Sequence, residues 1–177
     1  MIGLKGETMF KNKVFVIDAA AIFTKYVLQL TFPLYTTPQI VDEVKDKKGR
    51  EVLETIRITG RFTIRKPSKK NIRKIIALSK DMGEFSSLSE ADISILALAL
   101  DLIDEGKKPV IITDDYTVQN VAKSLGLSFQ PIRTRGITEI RKYIIQCPAC
   151  GYITQDKTMK YCPKCGHKLT KKPVKTS

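Results

Sequence analysis

All four cysteines of this chain fall between positions 147 and 165, as Cys147-Pro-Ala-Cys150 and, eleven residues on, Cys162-Pro-Lys-Cys165. No other feature limits the fold so tightly. Each pair spans one tight knuckle, and two knuckles at this separation gather four thiolates around one tetrahedral ion. A glycine follows each pair, Gly151 and Gly166, so the chain can turn there and aim backbone N–H groups at sulfur. Two disulfides are the alternative, and a reducing cytosol disfavours them. Four thiolates leave no open coordination position. The expectation is therefore one structural zinc on Cys147, Cys150, Cys162 and Cys165, without a catalytic role. So short a module buries too little apolar surface to fold unaided, and metal binding supplies on the order of 10 kcal/mol. Between the knuckles lie Tyr152, Ile153, Lys157, Lys160 and Tyr161. Basic residues among aromatics suit single-stranded nucleic acid, and the same tyrosines serve equally well as cover for a small core. His167, the single histidine, reads as a surface residue or a nucleic-acid contact.

Upstream, short apolar runs alternate with helical patterns. Strands are predicted over 13–17, 61–65, 109–113, 127–131 and 141–146. Helices are predicted over 19–30, from the Thr37-Pro38 cap to about 48, over 49–59, 68–80 and 116–125, and from the Ser89 cap to 104. Strands alternating with helices imply an α/β fold with a parallel sheet covered on both faces. The expected organisation is an α/β unit over 9–134, a linker over 135–143, a zinc ribbon over 144–170 and a basic tail over 171–177. No run reaches the roughly 18 apolar residues of a membrane span. Residues 1–10 carry no secretory pattern, which makes the cytosol the expected compartment and no membrane the expected partner.

Charge is unevenly placed. The net charge is +13, from 31 basic and 18 acidic residues. Residues 45–80 hold 13 basic and 3 acidic residues, residues 81–115 hold 2 and 9, and residues 136–177 hold 9 and 2. The basic flanks predict an anionic polymer as partner. The acidic stretch between them is either a set of solvated helix faces or a carboxylate site for a metal.

In open parallel sheets, sites form at the carboxyl ends of strands. Asp18 follows the first strand directly, and Asp114 and Asp115 follow the strand ending at Thr113. Asp92 lies in the first turn after Ser89, and Glu43 lies on the helix begun by Thr37. Each has a purely structural alternative: Asp18 and Asp114 as helix caps, Asp92 as half of a capping box, Glu43 as a solvated residue. Clustered carboxylates repel unless a cation joins them. Mg²⁺ takes such oxygen ligands and serves phosphodiester hydrolysis. The chain offers no Gly-rich phosphate loop, no G-x-S-x-G and no second histidine, so metal-assisted hydrolysis is the chemistry its inventory best permits.

The segment Phe15-Val-Ile-Asp18-Ala-Ala-Ala-Ile-Phe23 resembles the opening motif of PIN-domain nucleases. Thr37-Pro-Gln-Ile-Val-Asp-Glu43 resembles their second motif, Leu88-Ser-Glu-Ala-Asp92-Ile-Ser their third, and Thr113-Asp-Asp115 their fourth. The stretches 88–98 and 113–122, followed by a four-cysteine ribbon, are similar to the Nob-one ribosome-assembly endonucleases. The resemblance covers about residues 13–168 and leaves 1–12 outside. It implies a PIN-like parallel sheet with a C-terminal zinc ribbon. It also implies an Mg²⁺- or Mn²⁺-dependent endoribonuclease that cuts single-stranded precursor ribosomal RNA, within the small-subunit precursor, at its mature 3′ end. The acids carried over are Asp18, Glu43, Asp92 and Asp115, with Asp114 as the alternative fourth. Two rival expectations remain. One is a toxin-type PIN ribonuclease, which has no need of a ribbon. The other is an RNA-binding assembly factor without cleavage activity.

Overall fold

The computed structural model describes residues 12–154, 156 and 159–174. Lys157, residues 1–11 and the 175–177 end of the expected tail lie outside them. The chain runs β1 (Lys13–Ile17), α1 (Ala19–Phe23), β2 (Leu34–Thr36), α2 (Pro38–Glu43), α3 (Lys47–Ile58), β3 (Phe62–Ile64), α4 (Lys69–Met82), α5 (Glu90–Asp104), β4 (Lys108–Ile112), α6 (Tyr116–Ser124) and β5 (Ser128–Gln130). The ribbon follows with β6 (Lys142–Gln146), β7 (Ile153–Thr154) and β8 (Thr170–Val174). The first five strands form one parallel sheet in the order β3-β2-β1-β4-β5. The last three form an antiparallel sheet in the order β7-β6-β8.

This order has a functional consequence. From β1 the chain winds outward through β2 and β3, then returns to the other side of β1 as β4. The winding reverses between β1 and β4, and a crevice opens beyond the carboxyl ends of strands at such a point. The register pairs Ile17 with Ile112, so Asp18 and Thr113 leave the sheet side by side.

The core explains the rigidity of that edge. Val16, Ile17, Ile111 and Ile112 are fully buried, as are Ile95, Leu96, Ala97, Leu98 and Ala99 of α5. Five consecutive buried residues leave α5 no solvent face over that stretch, as befits a central helix. Asp101, near its end, is buried but satisfied: Ser68 donates through N (2.7 Å) and Oγ (2.6 Å), and Asn71 through Nδ2 (2.6 Å). Among the described residues no helix is long and apolar enough to cross a membrane.

Three predicted elements differ. The helix predicted over 19–30 stops at Phe23. The Thr24 hydroxyl bonds back to Ala20 O at 2.7 Å, Lys25 takes a left-handed φ of 58°, and Tyr26–Gln29 continues as a 3₁₀ turn. The helix predicted from Thr37 to about 48 breaks after Glu43, and Asp46 caps α3 by accepting from Gly49 N at 2.9 Å. Residues 171–174, read from sequence as tail, belong to β8, which pairs with β6 along its whole length.

The ribbon docks on the larger unit through a polar seam. Glu84 is only 3% exposed. It accepts from Asn120 Nδ2 at 3.0 Å and from Lys171 Nζ, on β8, at 2.7 Å. Lys171 also donates to Ser87 Oγ at 2.8 Å and lies 4.3 Å from the centroid of the Tyr143 ring. Asn120 donates to Arg141 O and accepts from Arg141 N. At Gly83, with φ +77°, a Cβ would lie 2.4 Å from Tyr143 O, so the close approach of β6 requires glycine there.

Candidate active site

Three of the four expected acids sit where helices start. Asp18 caps α1 and accepts from Ala19 N at 2.6 Å. Asp92 completes a capping box: Ser89 N donates to its Oδ2 at 2.7 Å, and its own N donates to Ser89 Oγ at 3.0 Å. Asp115 caps α6, accepting from Thr117 N and Val118 N. The structural readings of Asp18 and Asp92 therefore hold, and they do not compete with a shared site. Short βα loops place Asp18 and Asp115 at the carboxyl edge of the sheet, whereas Asp92 follows a helix and a 3₁₀ turn and is linked to them electrostatically. Glu43 is the exception. It is the last residue of α2, exposed and uncapped.

Their proximity shows in their electrostatics. Burial pushes the Asp18 carboxyl up to about 6, with the charges of Asp92 and Glu43 adding to it against hydrogen bonds from Thr113 and Ala19. Desolvation and the charge of Asp92 raise Glu43. Burial, then the charge of Asp115 against its bonds to Ser89, raises Asp92. The four acids are thus linked in one repelling set. Among the described residues, none of them pairs with a lysine or arginine, while Glu54, Glu84, Asp104, Glu105 and Asp114 all do. Other described acids, Asp42, Glu51, Glu90 and Glu139 among them, also form no ion pair, so what sets these four apart is the electrostatic coupling among them. Hard divalent ions take donors of this chemistry, while among the described residues the four cysteines, and not these acids, close to a ligand-spaced group.

Asp114 and Asp115 separate cleanly. Asp114 turns to the loop after β5, accepting from Ile132 N, Arg133 N and Thr134 N. Burial alone would raise its carboxyl, but these bonds hold it below the usual range. Asp115 faces Asp92. Thr113 joins the set by donating its hydroxyl to Asp18 Oδ2 at 2.7 Å and accepting from Asp115 N at 3.0 Å.

A supporting layer lies beneath the acids and is not evident from sequence. Thr36 donates to Ile17 O at 2.9 Å, the Thr37 and Ser94 hydroxyls lie 2.7 Å apart, and Gln119 Nε2 donates to Thr113 O at 3.0 Å. All four side chains are buried. Thr37 reads in the sequence simply as a cap and Ser94 simply as a motif residue. Only tertiary packing joins α2 to α5 through them.

The cysteines form the second centre. Their four sulfurs lie within 4.8 Å of one another, Cys147 to Cys165 at 3.4 Å and Cys150 to Cys162 at 3.5 Å. Tetrahedral zinc–thiolate bonds of about 2.3 Å set sulfur separations of about 3.8 Å, so the cluster fits zinc. Cys150 N–H, with Ala149 N–H, pulls the Cys147 thiol down to about 6, while the neighbouring sulfurs, against a bond from the His167 backbone, push Cys165 up to about 12, a crowding that a bound cation would relieve. His167 stays out of the cluster and contributes its carbonyl to Cys162 N.

A family model described as the PIN domain of ribonuclease matches residues 15–102, and one described as the Nin-one-binding (NOB1) Zn-ribbon matches residues 137–177. A Pyrococcus abyssi protein named endoribonuclease Nob1 is 41% identical over 75% of this chain and 79% of its own length. Another of that name, from Archaeoglobus fulgidus, is 32% identical over 92% of this chain and 93% of its own length. The chain belongs to the Nob1 endoribonuclease family. It is thus an endoribonuclease built from a PIN nuclease unit and a Nob1-type zinc ribbon. A Saccharomyces cerevisiae protein named 20S-pre-rRNA D-site endonuclease NOB1 is 32% identical over 49% of this chain and 20% of its own length. The ribbon match at residues 137–177 lies outside the PIN match at residues 15–102.

Proposed function

We propose that this Nob1-family chain is a divalent-metal-dependent endoribonuclease of the cytosol, cutting single-stranded precursor ribosomal RNA in the small-subunit precursor to leave the mature 3′ end. The observation that carries the proposal is the set of four mutually repelling carboxylates at the strand-order reversal, none paired with a basic side chain. Asp18, Glu43, Asp92 and Asp115 would hold Mg²⁺ or Mn²⁺, and the four cysteines one structural zinc. A divalent ion there supplies charge neutralisation at the phosphodiester and activation of water.

The chain's own residues do the positioning. Thr113 fixes Asp18 and the Asp115 backbone together, so the two sides of the crevice cannot drift apart. Ser89 fixes Asp92. The basic 45–80 segment and the ribbon lysines hold phosphates on either side. Hydrolysis breaks the P–O3′ bond and leaves a 5′-phosphate and a 3′-hydroxyl. The rRNA assignment draws on the yeast relative's named substrate.

Cleavage of RNA spanning the end of the small-subunit precursor, with and without Mn²⁺, is the test. Wild-type protein should cut at one site. Asp18→Asn should bind the RNA as well or better, because repulsion at the crevice falls, and should not cut. Full Mn²⁺-dependent cutting by that variant would remove Asp18 from the mechanism.

A further inference from the structure

Starting one residue past Asp115, at Tyr116, the chain lines a cavity that the chemistry above does not use. It has a volume of about 440 Å³ and sits at the seam between the PIN unit and the ribbon. Its lining includes Tyr116, Thr117, Glu139, Arg141 and Tyr143, over a floor made by the Glu84–Lys171 pair. Three observations say what it could hold. First, its position: Tyr116 and Thr117 are the first two residues of α6, and Asp115 is that helix's cap. The carboxyl edge of the sheet runs β2, β1, β4. Glu43 and the basic 45–57 segment follow β2, Asp18 follows β1, and Asp115 and Tyr116 follow β4. A strand crossing the acids from the basic side therefore arrives at this cavity.

Second, its polarity. Glu84 and Glu139 both line it, and Lys171 is already engaged by Glu84, Ser87 and the Tyr143 ring. Two acids and two basic groups line it, Lys171 is held by Glu84, and the lining therefore carries no net positive charge to favour a phosphate. Third, its unspent recognition groups. Tyr116 is 55% exposed, and a phenol ring at that exposure offers a stacking face. Among the described residues, Glu139 and Arg141 form no ion pair. Together they present an acceptor and a donor fork to the edge of a base. The volume lies in the range of small-ligand sites.

We infer that this seam cavity is a nucleobase pocket. It receives one unstacked base of the RNA next to the cleaved phosphodiester, stacked on Tyr116 and read at its edge by Glu139 and Arg141. Tyr116 and Arg141 thereby fix which phosphate lies over the acids. The inference rests on the RNA-cleavage reading for its substrate, and its test is a binding measurement that does not depend on cutting.

The experiment uses full-length, zinc-loaded Asp18→Asn protein and a short single-stranded RNA spanning the cut, made with an abasic nucleotide at each position in turn. One position should show a loss of affinity of about tenfold, the others little. Tyr116→Ala should lose about the same factor on intact RNA and show no further loss at the abasic position, because the two changes remove one contact. Tyr116→Phe should restore it. In wild-type protein, Tyr116→Ala should also blur the cut over neighbouring phosphates. A uniform abasic profile overturns the pocket, as does an abasic loss that persists in full in Tyr116→Ala. Absence of Mn²⁺-dependent cutting by wild-type protein would instead strike the functional reading, and the binding profile would still judge the pocket.

Discussion

Asp18 carries two tasks that pull against each other. It caps α1 and it lends a carboxylate to a crowded crevice, and the crowding raises its proton affinity. An unfolded-chain aspartate titrates near 3.8 and the folded Asp18 near 6. Between these values the folded state holds the extra proton, so stability declines as pH rises through that window and stays low above it. Asp18→Asn removes the ionised form. In protein free of added Mg²⁺ and Mn²⁺ but retaining zinc, it should gain on the order of 2 kcal/mol at pH 8 and nothing below pH 4, read from denaturant unfolding at the two pH values. A second contrast separates the adjacent acids. Asp115→Asn keeps the α6 cap, since Asn caps as well as Asp, but deletes a charge from the set: cleavage should be lost with Tm unchanged. Asp114→Ala should do the reverse, costing about 1–3 kcal/mol through three orphaned N–H groups while the cut survives. Sequence alone leaves these two residues open. The choice depends on which one the loop after β5 reaches back to bind, and that is a contact across eighteen residues.

At the scale of elements, local chemistry reads well and its interruptions read badly. The strands 13–17 and 109–113, the long helix after Ser89 and the helix starting near Tyr116 are legible because caps and apolar runs agree. The places of Asp18, Asp92 and Asp115 at helix starts are legible for the same reason, and that of Glu43, at a helix end, is not. The break between α2 and α3 is not, because the segment 37–59 keeps a helical pattern through it. Asp46 is what restarts the helix, through its single bond to Gly49 N. Asp46→Ala should therefore fray the first turn of α3, lowering stability by about 1 kcal/mol and lifting hydrogen-exchange protection from the first amides of α3 ahead of the rest. On the proposed function the basic side chains of that turn hold phosphates, so RNA affinity should fall with it. Asp46→Asn should restore both. The supporting hydroxyls stay hidden for a different reason: nothing in a sequence distinguishes a threonine that bonds its own helix from one that, like Thr37, also meets Ser94 on another.

For the whole molecule, two basic regions must flank one acidic crevice, and the seam decides whether the ribbon stays in place to do so. Metal removal tests this arrangement most directly. The ribbon's own buried apolar cluster is small, Cys147, Cys162 and Leu169 with a few partly covered neighbours, so zinc withdrawal should unfold it. The parallel sheet draws on a separate core and should persist. Two transitions should then appear in calorimetry where zinc-loaded protein, coupled through Glu84 and Lys171, shows closer melting. Glu84→Gln weakens that coupling without touching the sulfurs. With Lys171 about one third exposed, solvent softens the loss to about 1–2 kcal/mol. The variant should keep its zinc, show an increased radius of gyration by small-angle scattering, and cut RNA with reduced precision. The salt dependence of RNA binding supplies the last reading. Each phosphate released lowers the slope of log affinity against log salt by about 0.7 for a single strand. Zinc-stripped protein should lose the ribbon's share of that slope while keeping the share contributed by residues 45–80. A slope unchanged by zinc removal would place the RNA entirely on the PIN unit and leave the ribbon's charge without a role in binding.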